Sequence, residues 1–395
     1  MTNRSVSRRQ FLAAAAIGAV AAPFISKRSF GASEPVKFEI LETKSFSYPG
    51  NCYYGWPTIG KLGKELFVVA SGGREGHICP FGRVEMFRSH DNGATWNYPE
   101  VIYDSPIDDR DAGICVTNKG SLLVTTFTSL AYVDMLMEEK SLREQGKGRP
   151  DVWSDERFEK WMLAHERVSE EQRKSELGYW MFRSTDGGVS WSRRYPVPFT
   201  TPHGPIQLSD GSQLLIGNQF LNGTHCCGSC VSEDDGQTWN INGCVNPREG
   251  DSVSLYYEPH AVEAADGRIV AQIRNGNENN IGESLQTVSW DKGKTWSTPV
   301  SIGVWGLPSF LMKLADGRLL MTYGYRRQPL GVQARVSDDN GETWSEPALI
   351  YDQGKSSDLG YPSTVQLDDG SLITVWYELQ EGWFAKLRMC RWSIS

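Results

Sequence analysis

Apolar residues in this chain fall into short runs, each interrupted by a polar turn, and the same order of run, turn and run comes back repeatedly. Leu66-Phe67-Val68-Val69 follows Pro57-Thr58-Ile59, and Leu122-Leu123-Val124 follows Ile114-Cys115-Val116 after Gly120-Ser121. Four further copies carry Asp-Gly at the turn, at positions 210–211, 266–267, 316–317 and 369–370. Asp-Gly between alternating apolar stretches is a strong local signal for a β-hairpin. A second motif, Ser-x-Asp-x-Gly-x-(Thr/Ser)-Trp, occurs at Ser89–Trp96, Ser184–Trp191, Ser232–Trp239, Ser289–Trp296 and Ser337–Trp344. Gly allows a turn conformation that a side chain forbids, Ser and Asp bond the amides around it, and Trp buries a large ring beside it. These boxes are read as structural.

Each unit is therefore expected to supply two strands joined by a tight turn, then a third strand, a box and a fourth strand. Repetition of such a unit points to radial sheets. The expected fold class is all-β, a six-bladed β-propeller over 36–395 with a helical insertion, 135–177, in the second blade. The insertion is inferred from the wide gap between Trp96 and Trp191, which holds a charged stretch with Trp153, Phe158, Trp161, Met162 and Leu163 at helix-like spacing. The last unit lacks a box, and Val36–Phe46 is expected to provide its missing strand and so remove an open edge. Strand direction then places the Asp-Gly turns and boxes at one end of the ring. The opposite end gathers Trp56, Arg74, Glu75, His77, Arg110, Asp111, His203, Asn218, Glu258, His260, Arg274, Arg326, Arg327, Tyr361 and Tyr377. A polar end on an apolar scaffold is what a ligand mouth requires.

Composition narrows the partners. The chain has 395 residues, 39% hydrophobic, with net charge −8, which is too apolar for a disordered chain. Five cations and no acid lie in the first 31 residues, so the remainder is more acidic still. That argues against a nucleic-acid groove. Ser7-Arg8-Arg9-Gln10-Phe11-Leu12 precedes an apolar run from Ala13 to Ile25 that is too short to span a bilayer. Residues 1–32 are read as a twin-arginine export signal, and the mature protein as periplasmic or secreted. Eight cysteines remain. His225-Cys226-Cys227-Gly228-Ser229-Cys230 superficially suggests zinc but lacks a second pair at finger spacing and runs into a box, so buried or disulfide-bonded strand cysteines are expected. No metal or cofactor is expected, and no feature of the sequence reports an oligomeric state.

The boxes, the repeated units and the polar mouth together resemble the sialidase (neuraminidase) superfamily. Glu258-Pro259-His260…Arg274 is similar to the stretch whose Glu assists the nucleophile and whose Arg grips the substrate carboxylate. Gly360-Tyr361-Pro362…Tyr377-Glu378 is similar to the stretch that carries a nucleophilic Tyr. By position, Arg326 or Arg327 resembles a further arginine of the family's triad. The resemblance implies an exported glycoside hydrolase for a terminal acidic or polar sugar, with Tyr361 and Glu258 catalytic. A glycan lyase or other glycan-cleaving propeller enzyme, and a non-catalytic glycan-binding propeller, stand as alternatives. Two departures accompany the match. Gly55-Trp56-Pro57 occupies the place of the family's first arginine, and Ser71–His90 holds no Asp for the acid/base role. Glu75 and His77 are the nearest substitutes for that role and Arg74 for the cation. His203, His260 and Asp111 are expected to bind substrate. A neutral phenol beside a carboxylate base suits attack next to an anionic group, and arginines suit its bidentate recognition.

Overall fold

The computed structural model describes residues 37–47, 52–220, 225–380 and 382–394; the export-signal reading lies outside them. The described chain is mostly β, and its strands pair almost entirely antiparallel. Four sheets have four strands each, and one has eight. The expectation of six separate blades is thus corrected to a propeller-like arrangement of four four-stranded blades and one wide sheet. The cause is a long-range junction. The last strand, Ala385–Ile394, pairs with Leu372–Leu379 on one side and with Phe38–Ser45 on the other, and Ala385 also bridges Tyr53 in parallel. That bridge joins Leu359–Gln366, Leu372–Leu379 and Ala385–Ile394 to Tyr53–Leu62, Glu65–Arg74, Arg83–Ser89 and Glu100–Tyr103 as one sheet. The segment after residue 36 does take the expected edge place beside the last strand.

Strands buried on both faces explain the continuous apolar runs. In Glu65–Arg74, Leu66, Val68 and Ala70 point into one apolar cluster while Phe67 and Val69 point into the next. Leu122 and Val124 share that second cluster, and Leu123 belongs to a third. Successive sheets therefore interleave their side chains, and each strand serves two interfaces by its period of two. The boxes fasten these interfaces. Ser89 Oγ accepts from Gly93 N at 2.8 Å, and Asp91 accepts from Thr95 N at 2.8 Å and Thr95 Oγ at 2.6 Å. Trp96 reaches Met389 within the wide sheet, while Trp344 donates to Gln286 Oε1 at 3.0 Å and Trp296 to Ser229 Oγ at 3.3 Å, each on the preceding blade.

Between Leu122–Ser129 and Tyr179–Ser184 the chain makes three helices, α1 (Ala131–Glu144), α2 (Asp155–Glu166) and α3 (Glu170–Glu176). Ser154 caps α2, and Ser169 with Gln172 forms a capping box on α3. Tyr132, Leu136, Trp153 and Trp161 bury themselves with Cys79, which lies in the loop between Glu65–Arg74 and Arg83–Ser89. Cys226 and Cys244 form a disulfide across neighbouring strands. Cys227 and Cys230, three positions apart on one strand, face different apolar clusters. Strand alternation splits the CxxC, which leaves two buried thiols whose titration burial pushes upward. No group of three or more metal-ligating side chains is found among the described residues.

Candidate active site

The innermost strands carry one device four times. In Tyr53–Leu62, Asp108–Val116, Tyr256–Glu263 and Leu359–Gln366 the pairing register slips at equivalent points. The residue in each slip has positive φ: Trp56 at 55°, Asp111 at 48°, Glu258 at 49° and Tyr361 at 54°. Bulky residues rarely adopt this conformation, and a bulge re-aims the side chain that occupies it. The repeat thus turns an indole, two carboxyl groups and a phenol toward the same end of the ring.

Two of them meet. Tyr361 Oη donates to Glu258 Oε1 at 2.5 Å, while Arg274 Nη1 donates to Glu258 Oε2 at 2.8 Å. Both oxygens of one carboxylate are therefore held, one by a phenol and one by a guanidinium. Asn218 fixes the backbone beneath: its Oδ1 accepts from Glu258 N at 2.9 Å and its Nδ2 donates to Tyr256 O at 2.6 Å. Tyr361 is only 5% exposed. Burial, then the Glu258 and Asp111 carboxyls, raise its phenol far above the usual range, with Arg274 opposing them, so at neutral pH it is protonated. Burial pulls the Arg274 guanidinium down, but Glu258 and Tyr361 outweigh it and the group stays charged. Arg326 completes this side: Nε donates to Leu359 O at 2.9 Å, Nη2 to Tyr377 Oη at 3.4 Å, and the guanidinium stands 5.9 Å from the Tyr361 ring centre.

The profile of the BNR repeat-like domain family matches residues 138–374. The chain belongs to that family. This BNR repeat-like domain is 26% identical over 224 residues to a sialidase of Bacteroides fragilis, a match covering 50% of the chain but 38% of that enzyme. It is 23% identical over 380 residues to a sialidase of Paraclostridium sordellii, covering 88% and 86% of the two. A Dyadobacter fermentans protein of unknown function has the same fold, at TM-score 0.72 and 21% identity, over 91% of this chain and 99% of that one. The chain thus spans less than half the length of the Bacteroides relative and most of the Paraclostridium one. No helix among the described residues is long and apolar enough to cross a membrane.

The remaining predicted residues of the BNR repeat-like domain separate into three groups. Arg327 turns away from Tyr361 and is exposed, its guanidinium 4.0 Å from the Trp305 ring centre. Glu75 is held by α2, where Lys160 pairs with Oε1 and Trp161 Nε1 donates to Oε2 at 2.7 Å. Arg74 is wholly buried in a two-pronged pair with Asp108, at 2.5 and 3.0 Å, and lies 4.9 Å from the Trp56 ring centre, so it supports the wall from behind.

His203 and His260 are buried side by side, with ring centres 5.3 Å apart. They line a cavity of about 530 Å³ that extends along the inner strands toward Lys61 and Lys313. His260 Nδ1 accepts from Leu311 N at 3.0 Å, and burial holds its protonation down to about 3; His203 is likewise held neutral, first by burial and then by His260.

His77 belongs to a network that sequence reading only half found. Asp358 accepts from Tyr53 at 2.9 Å and Tyr377 at 2.7 Å and meets His77 Nδ1 at 3.2 Å. Burial would raise this carboxyl, but His77, Tyr377 and Tyr53 outweigh it and hold the group below the ordinary range. Asp358 and Tyr53 stand at the starts of innermost strands, so strand direction alone assigns them to the mouth.

Proposed function

We propose that this chain is a glycosidase of sialidase type, acting on a terminal sugar that bears an anionic group. The observation that carries the reading is the Tyr361–Glu258–Arg274 cluster, with the phenol hydrogen-bonded to a carboxylate base. In the reaction Tyr361 Oη attacks the anomeric carbon while its proton passes to Glu258, giving a covalent glycosyl–tyrosine and releasing the aglycone as an alkoxide that takes its proton from solvent. Water then attacks the same carbon and gives its proton to solvent, the bond to Tyr361 breaks, and Glu258 returns the proton to the phenolate. A phenol that enters neutral avoids the repulsion an anionic nucleophile would meet beside a carboxylate. Arg274, bonded to Glu258, and Arg326, 5.9 Å from the Tyr361 ring centre, supply guanidinium groups for that anion. Trp56 fills the place where the resemblance anticipates a third. The export signal read in residues 1–32 would make the enzyme periplasmic or secreted.

The test is turnover by the purified chain. An α-sialoside panel should release free sugar, and Tyr361→Phe should lower kcat at least about 10³-fold, since the oxygen that forms the covalent bond is gone. Sugar binding without turnover across the panel, or an unsaturated product in place of a hydrolysed one, would overturn the reading.

A further inference from the structure

The cavity lined by His203 and His260 takes no part in the chemistry above. Trp56, Asp111, Glu258 and Tyr361 do not line it. Its walls are Ile59, Ile114, Val262 and Val365, each just past a bulge, together with Leu311. At one end it reaches Lys313 and Ala315, which are exposed and adjoin the Asp316-Gly317 turn. At the other it ends on His203 and His260, 1% and 2% exposed. The cavity is therefore a pit that opens at the end of the ring away from Tyr361. Cross-strand bonds tie the innermost segments together at its closed end. Thr58 Oγ1 donates to Pro202 O at 3.0 Å, Thr201 Oγ1 to Pro259 O at 2.6 Å, and Ile59 N to Ser363 Oγ at 3.2 Å.

The closed end holds an unmet demand. Neither ring nitrogen of His203 has a hydrogen-bond partner. A buried imidazole left unpaired is costly and needs a reason to persist. His260 differs, because its Nδ1 accepts from Leu311 N and its proton therefore sits on Nε2. That tautomer has no lone pair to spare, so the two histidines do not make a metal site. Phe310 lies parallel to His260, with ring centres 4.6 Å apart, and edge-on to His203 at 5.4 Å. The result is an aromatic floor with polar nitrogens, and burial keeps both imidazoles uncharged. Fixed charges stand toward the open end and are largely matched. Lys61 Nζ donates to Asp368 Oδ1 at 2.6 Å, and Glu263 accepts from Ser209 N and Oγ at 2.6 and 2.8 Å.

We propose that this pit is a second binding site, for an uncharged amphipathic molecule whose hydroxyl pairs with His203 while its apolar body lies between the strands. An ion at the floor would lose its hydration and meet no counter-charge. A plain hydrocarbon would leave His203 unpaired, whereas a hydroxyl both donates and accepts and so satisfies either nitrogen. A volume of about 530 Å³ suits a small molecule. The assignment does not depend on the glycosidase reading.

Four probes of similar size separate these demands: benzyl alcohol, toluene, benzoate and benzylammonium. Binding to the full chain is followed by saturation-transfer NMR, and the histidine ring nitrogens by ¹⁵N spectra. Benzyl alcohol should bind about tenfold more tightly than toluene, shift the His203 nitrogens, and give NOEs to the Leu311 and Val365 methyls. Both charged probes should bind more weakly than the alcohol. In His203→Phe the advantage of the alcohol over toluene should disappear. If that variant does not fold, the wild-type series decides alone. Toluene binding as tightly as the alcohol, a charged probe binding best, or shifts confined to His77 at the mouth would overturn the proposal. So would failure of all four to bind, which would leave a channel filled by water alone.

Discussion

At the residue scale the mouth is organised by opposing electrostatic demands on near neighbours. Asp111 is raised by burial and Asp358 is lowered by its three donors, although both lie at the same end of the ring. The raised group has a consequence for stability that turnover does not report. Its folded value of about 7 lies above an unfolded value of about 3.9, so the unfolded chain releases the proton first as pH rises. Stability is thus lost progressively between about pH 4 and 7 and is level beyond. Asp111→Asn cannot ionise, and its melting temperature should match or trail the wild type at pH 4 and exceed it at pH 8. The gap at pH 8 is bounded by about 4 kcal/mol for a shift of this size. Parallel melting curves across that pH range would show that the carboxyl is not destabilised in the fold. Such pairing of destabilised residues with reacting groups is familiar in active sites. The residue types of this site were legible in the sequence because strand direction sorts them to one end. Their partners were not. Nothing local distinguishes Arg326, folded in toward Tyr361, from Arg327, stacked outward on Trp305.

At the scale of elements, alternation is informative wherever a strand is regular and fails where another chain segment decides. Period two correctly separates Cys227 from Cys230, which disposes of a zinc reading that spacing alone invites. Helix α1 starts at Ala131, four residues before the expected insertion begins, because Tyr132 and Leu136 are drawn into the cluster around Trp161. Spacing also suggested Leu163 as part of an apolar face, yet it is 71% exposed while Trp161 is fully buried. The insertion is held to the mouth from two sides, by that cluster and by the Glu75 carboxylate that Trp161 Nε1 bonds. Trp161→Ala removes both at once and should cost about 3–5 kcal/mol, as for other buried tryptophans. Leu163→Ala should cost under about 0.5 kcal/mol. Urea unfolding of the two variants provides the comparison, and similar midpoints would mean that the helices pack elsewhere.

For the whole molecule, the sequence reports how many times a unit is written, whereas the number of sheets depends on which edges find one another. The Tyr53–Ala385 bridge joins the two ends of the described fold, more than 300 positions apart in sequence, and no periodicity encodes it. What periodicity does encode is the set of fasteners. The five box carboxylates, Asp91, Asp186, Asp234, Asp291 and Asp339, are all held below the usual range. For Asp91 the chief cause is the pair of bonds from Thr95, and the value reaches about 2. In Asp234 and Asp339 burial acts in the opposite direction and is outweighed by the bonds from Thr238 and Thr343. A depressed carboxylate contributes stability above its unfolded value, near 3.9, and that contribution disappears as pH falls through the folded value. The boxes should therefore loosen together between about pH 4 and 2, and because they clamp successive sheets, the loss should be cooperative around the ring. Asp91→Asn holds one fastener permanently in its uncharged form. Its melting temperature should be lower than the wild type's at pH 6, and the difference should shrink as both approach pH 2. A difference that stays constant with pH would place the box's contribution in packing of the turn and not in the carboxylate's charge.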